Sequence, residues 1–559
     1  MQTIRWEVMI VCLLLVQLST AQNTLGLLSY DFSESVGGYT LIYPDRQSTT
    51  YLLDECGQVV HRWEDDAIAR PGPVAYLLPD GRLLRAKLFG PLFTEPSFGA
   101  GGAGGVIELV SWDNEVEWTY VVADTFQRQH HDVHYMPNGN ILILAYDRYF
   151  TEDIVRNGFD TVSYSQRALW SEKVMEVDPL TDSIVWEWRL WDHLVQDYDS
   201  TQLNYGVVAE SPGKVNINYQ EYTFTRDDWI HANSLDYNEE LDQIMISARN
   251  MNEIWIIDHS TTTAEAATSN GGNSGRGGEL LWRWGSPHAY DQGTLDEQLL
   301  FSSHDAQWID DFVDLGYEYY GQVAIFNNFI DYVPVDGRSY GQIISPVWDE
   351  ETQSYAMAND RFLPTDFSET IVHPDTAKNF STAASSIQII EDGHVIMTAG
   401  RQGRTFELDE TGEVVWEYLT PLRNGQAMPQ GLTLNLSDNF TFRSSRYPRD
   451  YAAFTDRDLT PQGYLETNPN EAFCSVVTTA EVPGTANFRV FPNPTADAFF
   501  VDVPVGYPAT QLRIFDQLGR LQRELAVSGP SRVVIDGLAP GLYLLRMAAD
   551  GRVVRLIVR

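Results

Sequence analysis

One short pattern recurs along the chain and restricts the fold more than any other feature. Each copy is a strand rich in β-branched residues, a turn with Asp, Asn or Gly, and a second strand that ends in tryptophan. The clear copies occupy residues 51–63, 107–118, 174–186, 279–284 (after a Gly/Ser/Thr-rich insert) and 406–416. A degenerate copy is expected over residues 341–355. Such recurrence predicts a repeat architecture rather than a single sheet.

A second type of hairpin alternates with the first. It is an apolar strand, a turn such as Pro-Asp-Gly or Pro-Asn-Gly, and another apolar strand, as at residues 74–84, 131–145 and 387–397. Two alternating hairpins make a four-stranded unit, and about six such units predict an all-β, six-bladed β-propeller. A β-sandwich is the alternative, but it does not account for the recurring tryptophans. The long insertions, residues 149–170 and 196–228, are then expected to be loops above the mouth of the ring.

Polar side chains recur where the units begin. His131, His231 and His304 each stand at the first strand of a unit, and in a propeller this strand lines the central channel. Ser385 stands at the same place in the last unit, and Arg249 ends the second strand of its unit. The ring should therefore gather imidazoles and a guanidinium around one axis.

Other interpretations of these residues remain open. Three histidines at strand starts are compatible with a zinc or copper site, or with a channel that has no catalytic role. His130 and His131 cannot both face the channel, because neighbours on a strand point to opposite sides, and the sequence favours His131. Residues 99–105 are rich in glycine but lack the Lys and Ser/Thr of a phosphate-binding loop, so they are interpreted as a flexible loop. A structural role is expected for five further histidines, His61, His193, His288, His373 and His394.

These motifs resemble the bacterial aryl sulfotransferases, enzymes that do not use a nucleotide donor. The resemblance runs from about residue 50 to about residue 418, and rests on His131-Asp132, on His231-x-Asn233 with Arg249 downstream, and on His304-Asp305 after a Trp-Arg-Trp segment. That family is a six-bladed propeller that moves a sulfuryl group from one phenol ester to another phenol. The resemblance implies an exported sulfotransferase with a small aryl sulfate donor and a phenol acceptor, and neither a cofactor nor a metal.

The resemblance also assigns roles to residues. It implies that His304 is the nucleophile, which forms a sulfohistidine, and that His131, His231 and Arg249 hold the sulfate and assist transfer. It implies that Asn233 helps to bind the sulfate, and Ser385 is a looser match as a substrate-binding residue. His130 is retained as a further candidate for substrate binding.

The chemistry of sulfuryl transfer requires the same types of residue. Attack on a sulfate ester needs a neutral imidazole, charge stabilisation on the sulfuryl oxygens and an acid for the leaving phenolate. The planar fork of Arg249 suits those oxygens, and His131 or His231 can exchange a proton near neutral pH. Trp229, Trp255 and Trp308 are aromatic candidates for holding an aryl ring, although such side chains more often belong to the core.

The N-terminal segment has the features of an export signal. Arg5 precedes a short apolar run, residues 8–16, and small residues end at position 21, so residues 1–21 are predicted to be a signal peptide. The run is too short to span a bilayer, and no other stretch is predicted to do so. The sequence therefore predicts an exported protein in which residues 22–477 form the propeller.

The C-terminal segment predicts a second, smaller domain. Residues 478–486 are small and polar and are interpreted as a linker, while residues 487–559 contain short strands between Gly/Pro turns, which predict a β-sandwich. Phe491-Pro492-Asn493-Pro494, the Gly-Leu-rich motif at 537–545 and the basic last strand resemble the type A sorting domain of the type IX secretion system of Bacteroidetes. The resemblance implies recognition by that secretion machinery and a location at the cell surface or in the medium. A carbohydrate-binding module is the alternative, but the sequence shows no platform of aromatic residues.

Charge and cysteine content restrict partners and compartment. The formal net charge is -41, which disfavours binding to nucleic acid or to anionic membranes. Of three cysteines, Cys12 lies in the predicted signal peptide, which leaves Cys56 and Cys474. Two free buried thiols are one option, but closure of a propeller brings the ends of the ring together. A disulfide between Cys56 and Cys474 is therefore predicted.

Overall fold

The computed structural model describes the large domain nearly throughout and the C-terminal domain in short pieces. The described residues are 23–66, 70–89, 100–219, 227–329, 338–477, 489–491, 498–502, 510–516, 520–527, 531–534, 538–539, 541–547 and 553–558. The predicted signal peptide, residues 1–21, and the predicted linker, residues 478–486, lie outside these residues. Contacts divide the chain into two compact units, Met1–Cys474 and Ser475–Arg559.

Within the described residues, the first unit contains six antiparallel sheets of four or five strands, which we number as blades 1 to 6 in chain order, naming the strands of each from inner to outer. Blade 1 consists of Thr441–Tyr447, Tyr39–Pro44, Thr50–Leu53 and Val59–Trp63; blade 2 of Pro71–Leu77, Leu83–Leu88, Gly105–Val110 and Val116–Val121; blade 3 of Gln127–Tyr135, Ile141–Phe150, Ala168–Asp178 and Ser183–Arg189. Blade 4 consists of Ala232–Asn238, Gln243–Ala248, Glu253–Asp258 and Trp282–Trp284; blade 5 of His304–Trp308, Val323–Asn327, Tyr340–Ile344 and Glu369–Ile371; blade 6 of Ser386–Ile389, Val395–Ala399, Arg404–Leu408, Val414–Leu419 and Gly26–Tyr30. The inner strands contact one another in the order of the blades, and blade 6 contacts blade 1. The predicted six-bladed β-propeller is confirmed.

Strand exchange closes the ring at two places. The inner strand of blade 1, Thr441–Tyr447, comes from the C-terminal part of the unit and pairs with Tyr39–Pro44. The N-terminal strand Gly26–Tyr30 pairs in turn with the outer part of blade 6. The predicted disulfide between Cys56 and Cys474 is also confirmed, with 5.6 Å between the two Cα atoms. Both ends of the large domain are thus fixed to the same junction.

The tryptophans of the fourth strands donate hydrogen bonds to the neighbouring blade. The indole N–H donates to a group of the next blade in five of the six blades, within 2.8–3.2 Å: Trp63 to Ser111 O, Trp118 to Asp182 Oδ1, Trp186 to Thr261 Oγ1, Trp282 to Leu363 O and Trp416 to Glu55 O. A buried indole N–H needs such an acceptor. Tryptophan suits this position because it combines a large apolar ring with a single N–H donor. This contact accounts for the sequence repeat.

Apolar side chains fill each junction between blades. The strand Gln243–Ala248 of blade 4 shows the arrangement: Ile244 and Ile246 pack with blade 3, whereas Met245 packs with blade 5. Because neighbouring side chains point to opposite faces and both faces are covered, the strand is continuously apolar rather than alternating. The core is therefore a ring of interfaces around the channel.

Blade 5 differs from the sequence prediction. The degenerate tryptophan-ended copy expected over residues 341–355 is wrong, because the outer strand of this blade is Glu369–Ile371. The intervening chain forms two small hairpins, Trp348–Asp349 with Ser354–Tyr355 and Met357–Ala358 with Arg361–Phe362. An insertion has displaced the last strand of the repeat.

Short elements complete the unit. The helices are Thr151–Arg156, Thr263–Ala266, Thr376–Asn379 and Ala472–Val477, with 3-10 turns at Leu190–Asp192, Val208–Glu210, Arg249–Met251, Pro287–Tyr290, Leu295–Glu297, Glu391–Gly393, Gly400–Gln402 and Ala452–Phe454. Leu194–Val195 pairs with Val215–Asn216, and Leu422–Arg423 pairs with Gln426–Ala427. Among the described residues no helix is long and apolar enough to cross a membrane.

The second unit is a small β domain. One sheet contains Arg489–Phe491, Ala498–Asp502 and Ser531–Val534, and the other contains Leu521–Val527, Thr510–Asp516, Gly541–Met547 and Val553–Val558. Phe499 from the first sheet and Leu512 and Leu545 from the second share one buried cluster. The predicted small sandwich is confirmed.

Candidate active site

Three histidines meet at one end of the channel. His131 lies in the inner strand of blade 3, His231 directly precedes the inner strand of blade 4, and His304 begins the inner strand of blade 5. The rings of His131 and His231 are 4.7 Å apart. Phe442, from the inner strand of blade 1, contacts both His131 and His304, with ring centroids 5.8 and 6.1 Å away. Because the three blades are consecutive, the ring geometry alone brings these residues together.

Irregular backbone directs these side chains. His131 and His231 have φ angles of 48° and 56°, and Asp305, next to His304, has a φ of 62°. Non-glycine residues rarely adopt this left-handed region. The pairing register shifts at the same three places, so each inner strand carries a bulge where its histidine stands. A bulge can re-aim a side chain, which simple strand alternation cannot do.

The hydrogen bonds of His304 define one protonation state. Its Nδ1 faces two acceptors, Asn328 Oδ1 at 2.6 Å and Ser302 O at 3.0 Å, while its Nε2 accepts from the backbone N–H of Ala384 at 3.1 Å. Burial, with Arg249 and then His231 nearby, holds the pKa of His304 well below its usual range. The ring is therefore neutral, with the proton on Nδ1 and a lone pair on Nε2.

His231 has a carboxylate partner instead. Its Nδ1 lies 2.6 Å from Asp228 Oδ2, which also accepts the N–H of Gly101 at 3.1 Å. Burial alone would raise the pKa of Asp228, but His231 and the hydrogen bonds lower it. An ionised carboxylate thus orients the ring of His231.

His131 contacts another imidazole. Its Nδ1 lies 2.9 Å from the Nδ1 of His130. Burial, together with His231 and His130, holds the pKa of His131 well below its usual range. His130 is fully buried behind it, stacked on Tyr146 at 3.5 Å and with its Nε2 2.9 Å from Glu172. The structure therefore places His131 in the cluster and His130 behind it.

Arg249 is a cation in the surroundings of these rings. It directly follows the strand Gln243–Ala248 and begins a 3-10 turn, where its Nη1 donates to Asn250 Oδ1 at 2.8 Å. Burial is the main cause of the low pKa of His131 and of His304, and the charge of Arg249 lowers both further. The side chain is half-buried. Arg249 can therefore hold an anion beside the histidines.

Asn233 and Ser385 are less directly placed. The Nδ2 of Asn233 donates to the carbonyl of Ser303, the residue before His304, at 2.7 Å. Ser385 is fully buried and its Oγ accepts the N–H of Gly400 at 3.1 Å, although the neighbouring Ala384 contacts His304. These contacts position the backbone around His304.

Sequence reasoning missed the chain that covers the cluster. Residues 101–105, which we call the glycine strap, pack against the histidines, and the carbonyl of Gly102 accepts the N–H of His131 at 2.9 Å. A Cβ at Gly101 would collide with the ring of His231, and a Cβ at Gly102 would collide with that of His131. The glycines therefore permit close approach, which differs from the flexible loop predicted for residues 99–105; Gly99 lies outside the described residues.

Sequence reasoning also missed the partners of the histidines. Asp228 stands three positions before His231, a spacing that could have suggested it. Asn328 follows a buried strand, and no sequence pattern marks it. No pattern marks Arg443 either, which forms ion pairs of 3.0 Å with Asp132 and 2.7 Å with Asp305 in the channel.

Those two carboxylates also connect blades. Asp132 accepts the N–H of Leu235 at 3.0 Å, and Asp305 accepts that of Ile387 at 2.9 Å. The Asp of each His-Asp pair therefore fixes the next blade, while the histidine faces the cluster. Beyond Arg443, the channel widens to a cavity of about 990 Å³, whose lining residues do not include His131, His231 or His304.

Comparison with protein families agrees with this geometry. Residues 114–312 match the family model described as Arylsulfotransferase (ASST), and residues 489–559 match that of the Secretion system C-terminal sorting domain. The region 114–312, from blade 2 to blade 5, is thus similar to the arylsulfotransferase family. The predicted family resemblance is confirmed, and the sorting domain indicates export to the cell surface or the medium. His131, His231, Arg249 and His304 all lie within the matched arylsulfotransferase region.

Other comparisons add little to the arylsulfotransferase match. No curated protein matches the chain. A protein of unknown function from Bacteroides caccae is 8% identical and has a TM-score of 0.38, covering 73% of this chain and 98% of its own. Virginiamycin B lyase from Staphylococcus aureus is 9% identical with a TM-score of 0.28, covering 72% of this chain and 90% of its own.

Proposed function

We propose that this protein is a sulfotransferase that moves a sulfuryl group from a phenolic sulfate ester to a phenolic acceptor through a sulfohistidine on His304. The observation that carries the proposal is the hydrogen-bonded state of His304, a neutral imidazole with a lone pair on Nε2 beside a cation. Neutral imidazole is the nucleophilic form, and the arylsulfotransferase match supplies the substrate class.

In the first half-reaction, Nε2 of His304 attacks the sulfur of the donor. The N–S bond forms, the S–O bond breaks, and the electron pair remains on the departing phenolate oxygen. Arg249 binds the sulfuryl oxygens, whose charge the guanidinium stabilises with two directed N–H groups. The N–H of Ala384, released from Nε2, then lies beside the transferred group.

His231 is the proposed proton carrier. Asp228 holds its ring through Nδ1, so the other ring nitrogen can carry a proton to the departing phenolate. In the second half-reaction His231 takes the proton of the acceptor phenol, whose oxygen attacks sulfur while the N–S bond breaks. His131, neutral and buried between them, completes the polar wall of the site. At the end of the cycle His231 has regained its proton and Nε2 of His304 has regained its lone pair.

The test combines turnover with covalent trapping. A chromogenic aryl sulfate should release phenolate faster when phenol is added, and the donor alone should leave a sulfuryl group on His304 that peptide mapping detects. His304→Ala should abolish both, and Arg249→Lys should slow turnover by roughly a hundredfold, because an ammonium cannot bind two oxygens in a plane. Sulfate on another residue, or full activity in His304→Ala, would contradict the proposal. No release by folded protein would favour a channel that only binds ligands.

A further inference from the structure

Asn328 is the side chain that contacts Nδ1 of His304, at 2.6 Å. It directly follows the strand Val323–Asn327 of blade 5 and is fully buried. Its Nδ2 donates to two carbonyls, Ser381 O at 2.8 Å and Ala384 O at 3.1 Å. These two acceptors fix the orientation of the amide, so that its oxygen must face His304.

The consequence for His304 follows from the inventory of donors and acceptors. Its Nδ1 meets only acceptors and must carry a hydrogen, whereas its Nε2 meets the N–H of Ala384 and must not. Protonation of Nε2 would bring two N–H groups together and leave both unsatisfied in a buried site. One neutral tautomer is therefore the state that satisfies every group.

The chemical type of the partner distinguishes His304 from His231. Both rings are held through Nδ1 at 2.6 Å, but His231 faces the carboxylate of Asp228 and His304 faces the neutral amide of Asn328. A carboxylate favours an imidazolium, which is useful for carrying a proton but removes the nucleophilic lone pair. An amide orients the ring without adding a charge.

We propose that Asn328 is a positioning residue that keeps His304 neutral and presents its Nε2 lone pair for attack, and that an amide rather than a carboxylate is required at this position. The proposal deepens the proposed function and rests on it for the role of His304. The tautomer itself is a property of the resting protein and needs no substrate.

The other charged groups near His304 act in the same direction. Arg249 and His231 face it across the cluster and oppose its protonation, and His131 lies beside His231. Asp305, the next residue along the strand, is bound by Arg443. A carboxylate at position 328 would be a new charge at hydrogen-bond distance from the ring.

The experiment measures the state of His304 directly by ¹⁵N NMR of the full-length protein labelled at histidine. The resonances of His304 are identified as those that disappear in His304→Gln. We expect the neutral Nδ1–H form throughout the range from about pH 5 to about pH 8, where an ordinary histidine titrates. An Nε2–H tautomer, or titration of His304 near about pH 6.5, would overturn the proposal.

Variants then test the role of the amide. In Asn328→Asp the midpoint of His304 protonation should move up into the range from about pH 5 to about pH 8, and the acidic limb of the rate of sulfuryl loading should move with it, so that loading falls about tenfold for each pH unit below the new midpoint. Asn327→Asp is the matched control. It makes the same change one residue earlier, where the amide instead contacts Phe301, Leu299 and Gln342, and it should leave the titration of His304 unchanged.

Failure of this proposal is distinguishable from failure of the proposed function. If Asn328→Asp folds and His304 titrates as in the parent protein, the positioning role is wrong even when the sulfohistidine forms. If sulfate is trapped elsewhere, the proposed function is wrong although the tautomer stands. Should Asn328→Asp not fold, Asn328→Ala decides the question: with only Ser302 O left as an acceptor for Nδ1, the share of the Nε2–H tautomer should rise measurably, and a spectrum identical to that of the parent protein would overturn the proposal.

Discussion

At the scale of single residues, the three channel histidines differ in the group that their Nδ1 contacts. His231 has a carboxylate, His304 an amide and His131 an imidazole. Those partners come from different parts of the chain, so the repeat supplies equivalent positions but not equivalent chemistry. A site that needs one nucleophile and one proton carrier can therefore be built from repeated units.

Sequence could predict the histidines but not their partners. His131, His231 and His304 recur at the start of a unit, and recurrence is visible without a structure. Asn328 lies at the end of a buried strand, where many proteins have a polar residue, and its contact with His304 exists only because two blades meet. The bulges at the inner strands also have no signal in composition, so the side-chain directions could not be predicted.

A prediction at this scale concerns His259, which lies between blades 3 and 4. Its ring contacts Asp242 at 2.6 Å and Glu176 at 3.2 Å. Burial alone would lower the pKa of His259, but the two carboxylates raise it to about 9. Because the folded pKa is raised, the charged pair stabilises the protein fully below about pH 6.5, and this contribution is lost as the pH rises through about 9. His259→Gln should therefore lower the free energy of unfolding by about 2 kcal/mol at pH 6, and by much less at pH 10.

Urea unfolding of parent and variant at several pH values measures this difference. His61→Gln is the control, because burial lowers the pKa of His61 and no titration of that ring is expected between pH 7 and 10. A cost of His259→Gln that is the same at pH 6 and pH 10 would show that the ring contributes by packing alone.

At the scale of elements, the hydrogen bond of a tryptophan explains the sequence repeat. The tryptophan of the fourth strand donates to the next blade, so its position is fixed by the fold and visible in sequence. The glycine strap was visible too, but a run of glycines is the same in sequence whether it is mobile or pressed against a neighbour. The displaced outer strand of blade 5 could not be predicted, because Glu369–Ile371 lacks the tryptophan.

The strap gives a prediction about the site that it covers. Gly101→Ala adds a methyl group that meets the ring of His231, and the ring is fixed by Asp228, so either the strap or the histidine must move. We expect the variant to lose at least about tenfold in kcat/KM while its melting temperature falls by only a few degrees, since the loop lies outside the blades. Gly316→Ala is the matched control: that glycine also lacks a left-handed φ, and nothing lies within 4 Å of an added Cβ. Equal activity in the two variants would mean that the strap does not limit the site.

At the scale of the whole molecule, closure is what holds the ring. Two strand pairings join residues from opposite ends of the large domain, Tyr39–Pro44 with Thr441–Tyr447 and Gly26–Tyr30 with Val414–Leu419. The number of blades could be predicted from the repeat, and the disulfide from the expected convergence of the ends. The strand Thr441–Tyr447, however, comes from the opposite end of the large domain from its partner Tyr39–Pro44, so its place as the inner strand of blade 1, with Phe442 and Arg443 in the channel, could not.

The last prediction concerns the covalent part of that closure. Cys56 and Cys474 are 418 residues apart in sequence, and a cross-link over so long a loop restricts the unfolded chain by roughly 4 to 5 kcal/mol in the entropy model. Cys56→Ser and Cys474→Ser should each lower the melting temperature by several degrees, while turnover at moderate temperature persists because the strand pairings still close the ring. The double variant should melt at the same temperature as either single variant, since all three remove one and the same cross-link. Differential scanning calorimetry of the four proteins measures this, and a double variant that melts well below both single variants would show that the sulfur atoms contribute by packing rather than by their bond.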